Sequence, residues 1–139
     1  MTLKFLLDTS IVSAPIAKTP NRRVVRRLEQ QAAYCAVAAP VWHELVYGLS
    51  RLPAGRRRAA LEEYLHGVVR RSFSILPYDD VAAERHGRER ARLEASGKTP
   101  PFVDGQIAAI AHSQGLTLVT ANVEDFRYFD GLQLTDWNS

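Results

Sequence analysis

Short apolar runs alternate with longer segments of helical periodicity along the whole chain, and this alternation constrains the fold more than any other feature. Parallel strands must be joined by a crossover that is usually a helix, so the alternation predicts an α/β fold. We expect one α/β/α domain with a mostly parallel, twisted sheet of four to five strands flanked by helices. The predicted strands lie near residues 3–7, 34–38, 74–76, 116–120 and 132–134, and the predicted helices near 22–31, 39–52, 56–70, 81–95 and 104–111.

Length and composition indicate a single globular domain that covers residues 1–139. No apolar stretch is long enough to cross a bilayer and the N-terminus lacks the pattern of a signal peptide, so we expect a cytoplasmic location and no membrane partner. Cys35 is the only cysteine, which excludes an intrachain disulfide. No cluster of cysteine and histidine with zinc-ligand spacing is present in the sequence.

Arginine dominates the basic residues, since 15 of the 18 lysines and arginines are arginine and the net charge is +3. The planar guanidinium suits phosphate, so the arginine clusters are consistent with a surface that binds nucleic acid. Solvated helix faces with glutamate partners explain the same clusters equally well, and composition leaves both interpretations open. The clusters are Arg22-Arg23, Arg26-Arg27, Arg56-Arg57-Arg58, Arg70-Arg71 and Arg88/Arg90/Arg92.

Three acidic residues fall where an α/β sheet gathers its ligands. Asp8 directly follows the first predicted strand, and Glu44 lies on the helix that follows the second. Asp104 lies in the first turn of a later helix, where the helix dipole favours an anion. Strand carboxyl ends and helix N-termini meet at one edge of such a sheet, so we expect the three carboxylates to converge in one crevice.

Carboxylates that converge repel each other and require protons or cations at neutral pH. Oxygen ligands favour hard divalent ions such as Mg²⁺ or Mn²⁺, which promote hydrolysis of phosphodiesters. Each acid also has a structural alternative. Asp8 would cap the following turn, Glu44 would be a surface residue, and Asp104 would only complement its helix dipole.

Four short motifs, in order along almost the whole chain, resemble those of the PIN-domain ribonucleases, and most closely those of the VapC-type toxins of type II toxin–antitoxin pairs. The motifs are Leu6-Leu7-Asp8-Thr9-Ser10, Val41-Trp42-His43-Glu44-Leu45 with Gly48, Asp104-Gly105-Gln106-Ile107-Ala108-Ala109, and Leu118-Val119-Thr120-Ala121-Asn122 followed by Asp125-Phe126.

The resemblance implies a specific set of site residues. Asp8, Glu44 and Asp104 fall on the acidic metal-binding positions of the family, and Asn122 falls on a fourth position that is often aspartate. An asparagine coordinates through its carbonyl oxygen but adds no charge, so Asn122 weakens the prediction of a second metal ion. Asp125 is near enough in sequence to compensate, or it caps the next turn. We therefore predict that Asp8, Glu44 and Asp104 hold the metal, with Asn122 or Asp125 completing the site.

Three hydroxyl residues lie within these motifs. Thr9 and Thr120 are candidates for side chains that hydrogen-bond the metal ligands, and local turn bonding is the alternative. Ser10 stands where relatives of the family often carry asparagine.

The function that the resemblance implies is that of an Mg²⁺- or Mn²⁺-dependent endoribonuclease, the toxin of a VapBC-type module. It implies structured RNA as substrate, commonly tRNA or rRNA, a cognate VapB-type antitoxin that inserts a segment into the active-site groove, and a homodimer that is heteromeric with the antitoxin. The alternative on the same fold is a catalytically weak module that binds RNA or antitoxin, which Asn122 favours. A phosphatase with Asp8 as nucleophile is a second rival, but Ser10 occupies the position where that chemistry usually has an acid.

Overall fold

The computed structural model describes residues 2–138 and contains a five-stranded, wholly parallel sheet. The spatial order of the strands is β3-β2-β1-β4-β5, with the first strand of the sequence at the centre. The predicted fold class is therefore confirmed, including the fifth strand. The strands are β1 (Phe5–Leu7), β2 (Cys35–Ala38), β3 (Ser74–Leu76), β4 (Thr117–Val119) and β5 (Leu134–Thr135).

Helices connect these strands and flank the sheet. Two 3₁₀ turns, at Ala14–Ile16 and Ala32–Tyr34, lie on either side of the second helix. The α-helices are α1 (Thr9–Val12), α2 (Arg22–Gln31), α3 (Ala39–Arg51), α4 (Arg56–Glu62), α5 (Arg70–Ser72), α6 (Asp80–Ala95), α7 (Phe102–Ser113) and α8 (Val123–Phe126). Among residues 2–138, no helix has the length and apolar character that a membrane span requires.

Burial along β2 shows that both faces of the sheet are covered. All four residues of Cys35–Ala38 are buried, although successive side chains of a strand point to opposite faces. Leu6 and Leu7 of β1 are likewise fully buried. Strands covered on both sides read as continuous apolar runs, which is why the sequence marks them so clearly.

Local capping explains where two of the predicted helices begin. The Asn21 side chain accepts hydrogen bonds from the backbone N–H groups of Arg23 and Val24 at the start of α2. Asp79 accepts from the N–H of Ala82 at the start of α6. Both side chains satisfy donors that a helix N-terminus leaves without a partner.

One predicted helix has a different interior from the one expected. The segment predicted as a regular helix over 56–70 continues to Ser72, and its middle, Glu63–Val69, is a π-helix between α4 and α5. A π-helix accommodates extra residues in a helical turn. Helical periodicity alone does not distinguish it from a regular helix.

The strand order creates a crevice at the carboxyl edge of the sheet. The chain goes from β1 to β2 on one side of the sheet, and β4 pairs with β1 on the other side. The connections therefore leave β1 and β4 in opposite directions, which defines a topological switch point. Asp8 follows β1 and Thr120 follows β4, so both lie at this point.

Candidate active site

Asp8 is held rigidly at the carboxyl end of β1. Its backbone N–H donates to the carbonyl of Val119 at 2.9 Å, which continues the pairing between β1 and β4. The side chain is buried, and its Oδ2 accepts a hydrogen bond from Thr120 Oγ1 at 2.8 Å. The carboxylate is thus fixed by the neighbouring strand, as a preorganised ligand or base requires.

Thr120 connects the two strand ends further. It is fully buried, and its hydroxyl oxygen accepts from the backbone N–H of Asn122 at 3.0 Å. Ser10 Oγ accepts from the backbone N–H of Ala121 at 3.2 Å. The predicted role of Thr120 beside an acidic site residue is therefore consistent with its contacts, and Ser10 orders the same loop.

Asp104 occupies the first turn of α7, as the sequence predicts. Burial of the side chain is the main cause that raises its pKa, from an ordinary value of 3.8 to about 6. The charges of Asp8 and Asp125 raise the pKa of Asp104 further. The charges of Asp8 and Asp125 therefore both act on Asp104 at the switch point.

Asp125 lies on α8 and borders an open cavity of about 500 Å³. Asp104 and Glu124 line the same cavity, which gives it an acidic wall. Of the two residues that the sequence offered for the fourth position, Asp125 is the one whose charge acts on Asp104.

Asn122 contributes through its backbone. Its carbonyl accepts from the N–H of Asp125 at 3.0 Å, and its side chain makes no capping hydrogen bond although it precedes α8. The residue is exposed. A role for the Asn122 amide at the site stays a prediction.

The contacts of Glu44 differ from those of Asp8, Asp104 and Asp125. Its side chain is 45 % exposed on α3, and its Oε1 lies 3.8 Å from Nδ1 of the adjacent His43. Glu44 is not among the charges that raise the pKa of Asp104. The structure thus gathers Asp8, Asp104 and Asp125, and the participation of Glu44 stays a prediction.

The donor set suits a hard divalent cation, although its side chains do not form a finished coordination sphere. Within residues 2–138, no three histidine, cysteine, aspartate or glutamate side chains are clustered tightly enough to hold a metal ion. The chemistry nevertheless fits, because the carboxylates of Asp8, Asp104 and Asp125 repel one another and a cation would relieve that repulsion. Asp8 and Asp104 are the residues best placed to hold it.

Gly105 has a role that sequence reasoning missed. A Cβ on this residue would overlap Nε2 of His86, so the imidazole fills the space that a side chain would take. His86 is buried on α6, and Tyr78 Oη lies 2.7 Å from its Nδ1. Burial, together with the charge of Arg90, lowers the pKa of His86. The imidazole therefore packs against the turn that carries Asp104, and only the glycine within the motif could have signalled this contact.

A second unpredicted contact anchors the segment after α8. Glu89 is buried on α6, and its Oε1 accepts from the backbone N–H of Asp130 at 2.6 Å. Arg92 pairs with Glu89 through Nε and Nη2 at 2.9 and 3.0 Å. The hydrogen bond from Arg92 is the largest cause that lowers the pKa of Glu89. A buried glutamate in a charged helix gives no sequence signal that separates it from its exposed neighbours.

Comparison with known proteins agrees with this geometry. Residues 5–132 match the family model described as PIN domain. The chain is 35 % identical over 136 residues to the tRNA(fMet)-specific endonuclease VapC of Shigella flexneri, with 98 % of this chain and 99 % of the relative covered. It is 31 % identical over 138 residues to toxin FitB of Neisseria gonorrhoeae, with 96 % and 98 % covered.

Solved structures show the same fold. A structure of FitAB bound to an IR36 DNA fragment superposes with a TM-score of 0.89 at 28 % identity and covers 97 % of this chain and 96 % of that one. DNA-bound VapBC from Salmonella typhimurium superposes with a TM-score of 0.82 at 31 % identity and covers 97 % and 98 %. Both are complexes of a toxin with its antitoxin.

Proposed function

The chain belongs to the PIN-domain family, among the VapC- and FitB-type toxin ribonucleases, and we propose that it is an Mg²⁺- or Mn²⁺-dependent endoribonuclease that cuts structured RNA such as tRNA or rRNA. The observation that carries this proposal is the place of Asp104 in the first turn of α7, where burial and then the charges of Asp8 and Asp125 raise its pKa. Bringing carboxylates together costs free energy because like charges repel. A bound divalent cation would offset that repulsion and would give the arrangement a function.

The residues of the site have different proposed roles. Asp8 and Asp104 would hold the cation, with Glu44 and either Asn122 or Asp125 completing the site. When bound, such a cation neutralises charge that develops on the scissile phosphate and acidifies a water molecule for attack. Thr120 keeps the Asp8 carboxylate in place through its 2.8 Å hydrogen bond.

The proposed partner is a VapB-type antitoxin, with the toxin as a homodimer in the complex. The support comes from the similar structures, which are VapBC and FitAB assemblies, and from coverage of nearly the whole of each matched chain. We propose that the antitoxin blocks the crevice and that its loss releases the ribonuclease.

Loss of the charge on Asp8 tests the catalytic proposal directly. Asp8→Asn keeps the shape of the side chain, so the protein should fold as the wild type does. RNA cleavage should fall by at least about 100-fold, because loss of a ligand costs more than the roughly 10- to 100-fold loss typical of its hydrogen-bond partners. Glu84→Gln is the matched control, because Glu84 is an exposed acid on α6 that pairs with Arg88. Cleavage of a tRNA mixture is followed on denaturing gels, with and without EDTA and then with Mg²⁺ or Mn²⁺ restored.

Full cleavage in EDTA would contradict the metal-dependent reaction. A wild-type protein that binds RNA and antitoxin but does not cut RNA with either metal would favour the alternative of a binding module. The neutral Asn122 and the lack of a finished three-residue cluster among residues 2–138 are the observations on that side.

A further inference from the structure

We propose that Tyr128 and Lys98 form a nucleotide-binding subsite at the rim of the acidic cavity, where Tyr128 stacks on a base of single-stranded RNA and Lys98 contacts a backbone phosphate. The subsite deepens the proposed ribonuclease function and rests on it for the identity of the ligand. Nothing in the four sequence motifs includes either residue.

The geometry brings the two residues to the same cavity as the acids. Lys98 Nζ lies 4.5 Å from the centre of the Tyr128 ring. Both residues line the cavity of about 500 Å³ that Asp104 and Asp125 also border. Tyr128 is 48 % exposed, so its ring is accessible to a ligand in the cavity. The cavity thus has an acidic side and a side with an aromatic ring and a cation.

The ring is carried by an anchored segment. Arg92 Nη2 donates to the carbonyl of Tyr128 itself at 2.8 Å, while Glu89 holds the N–H of Asp130. Arg85 also donates to the carbonyl of Asp130. These contacts fix the backbone from Tyr128 to Asp130, so a base that stacks on the ring does not have to order this segment first.

The chemistry of the two side chains matches single-stranded RNA. Every base has a π face that stacks on an aromatic ring, and a lysine neutralises a phosphate. A polyanion approaching Asp104 and Asp125 meets repulsion, so a cation at the rim is needed to hold it there. Because the Lys98 ammonium lies over the Tyr128 ring, a single nucleotide can stack its base on the ring and place its phosphate near the ammonium.

A matched reference pair exists elsewhere in the molecule. Lys4 Nζ also lies 4.5 Å from the centre of the Tyr34 ring. Lys4 precedes β1 and Tyr34 precedes β2, so this pair lies at the amino edge of the sheet, opposite the acidic crevice. It has the same cation–π geometry without the acidic cavity.

Binding measurements in the Asp8→Asn background test the subsite without cleavage. The probe is a labelled, mixed-sequence single-stranded RNA of about 12 nucleotides, within the range that single-strand sites cover. Tyr128→Leu should weaken binding by about tenfold and Tyr128→Phe by less than about twofold, because phenylalanine retains the stacking surface. Lys98→Gln should lower the slope of log K against log salt by roughly 0.7.

The controls are Tyr34→Leu and Lys4→Gln, which should leave affinity and slope unchanged, and thermal melts establish that each variant is folded. An abasic series then separates stacking from a structural effect. At the stacked position, removal of the base should weaken binding to the protein that keeps Tyr128 but not to Tyr128→Leu, with both proteins in the Asp8→Asn background.

Equal affinity and slope for the Tyr128, Lys98 and control variants would overturn the subsite. So would a loss in Tyr128→Leu that is the same for intact and abasic RNA. If Tyr128→Leu does not fold, the Lys98→Gln slope and the abasic series on wild type decide the matter. A protein that binds as expected but never cleaves RNA contradicts the proposed function and supports the subsite, whereas a wild type that binds no RNA overturns both.

Discussion

A single hydroxyl links the two halves of the site. Thr120 donates to the Asp8 carboxylate and accepts from the N–H of Asn122, so one buried oxygen organises residues 112 positions apart. A buried polar group that loses its partner costs about 1–3 kcal/mol. The loop after β4 therefore has little freedom to move away from Asp8.

The raised pKa of Asp104 makes the stability of the metal-free protein depend on pH. A carboxyl whose pKa rises from 3.8 to about 6 on folding is favourable in its protonated form, so its contribution is complete below pH 3.8 and is lost as pH rises through 6. The loss is up to about 3 kcal/mol at neutral pH.

Asp104→Asn should therefore raise the free energy of unfolding by about 1–3 kcal/mol at pH 7.5 in EDTA, and by much less near pH 4. Chemical denaturation at several pH values measures this. Asp80→Asn is the control, because Asp80 is an exposed acid in the first turn of α6 and its loss should slightly destabilise that helix. An equal gain for Asp104→Asn at both pH values would contradict a pKa of Asp104 that burial and its acidic neighbours raise.

The sequence predicts the positions of the acidic residues better than it predicts their side-chain directions and contacts. Asp8 and Asp104 follow from their places at a strand end and a helix start, which the period of the apolar residues determines. The side-chain direction of Glu44 and the choice between Asn122 and Asp125 depend on rotamers and loop geometry. Those are set by tertiary contacts that lie far apart in sequence.

Helices α6 and α7 are in more extensive contact with each other than any other pair of helices near the site. The close approach at Gly105 lets the His86 ring enter the space of a missing side chain. The sequence predicts both helices, but their contact depends on the rotation of each helix about its axis.

Gly105→Ala should destabilise the protein by about 1–3 kcal/mol, since overpacking of a filled site forces atoms to shift. Gly87→Ala on α6 is the matched control, because nothing lies within 4 Å of a Cβ there. It should stabilise the protein by about 0.5–1 kcal/mol through helix propensity. Urea denaturation compares the two, and His86→Ala should restore much of the loss in Gly105→Ala. A Gly105→Ala variant as stable as the wild type would refute the tight contact.

Across the surface, the arginines of α6 differ from those of α2 and α4 in their partners. Arginines of α6 pair with glutamates, as Arg88 does with Glu84 at 3.7 Å. Among residues 2–138, no ion pair within 4.0 Å involves the arginines of α2 or α4, although Arg58 donates to the carbonyl of Leu52 at 2.7 Å. The interpretation as ion-paired helix faces applies to α6, whereas a nucleic-acid surface on α2 and α4 stays a prediction.

The unpaired arginines of α2 are the better candidates for phosphate contacts. Replacement of Arg22, Arg23, Arg26 and Arg27 with glutamine should lower the salt slope of RNA binding by roughly 0.7 for each residue that contacts a phosphate. Arg88→Gln should leave the slope unchanged, because its partner Glu84 already balances its charge. Antitoxin affinity is measured in parallel. An unchanged salt slope of RNA binding in the variant that replaces all four arginines would show that α2 does not contact the RNA phosphates.

The central position of β1 also determines when the crevice can form during synthesis of the chain. β1 is made first, yet one of its two partner strands, β4, begins only at Thr117. Until that strand has emerged from the ribosome, Asp8 has neither the Val119 carbonyl nor the Thr120 hydroxyl beside it. A polypeptide interrupted before this point carries the first acid of the crevice without the strand that fixes it. The chain must therefore have emerged as far as Thr120 before the crevice exists.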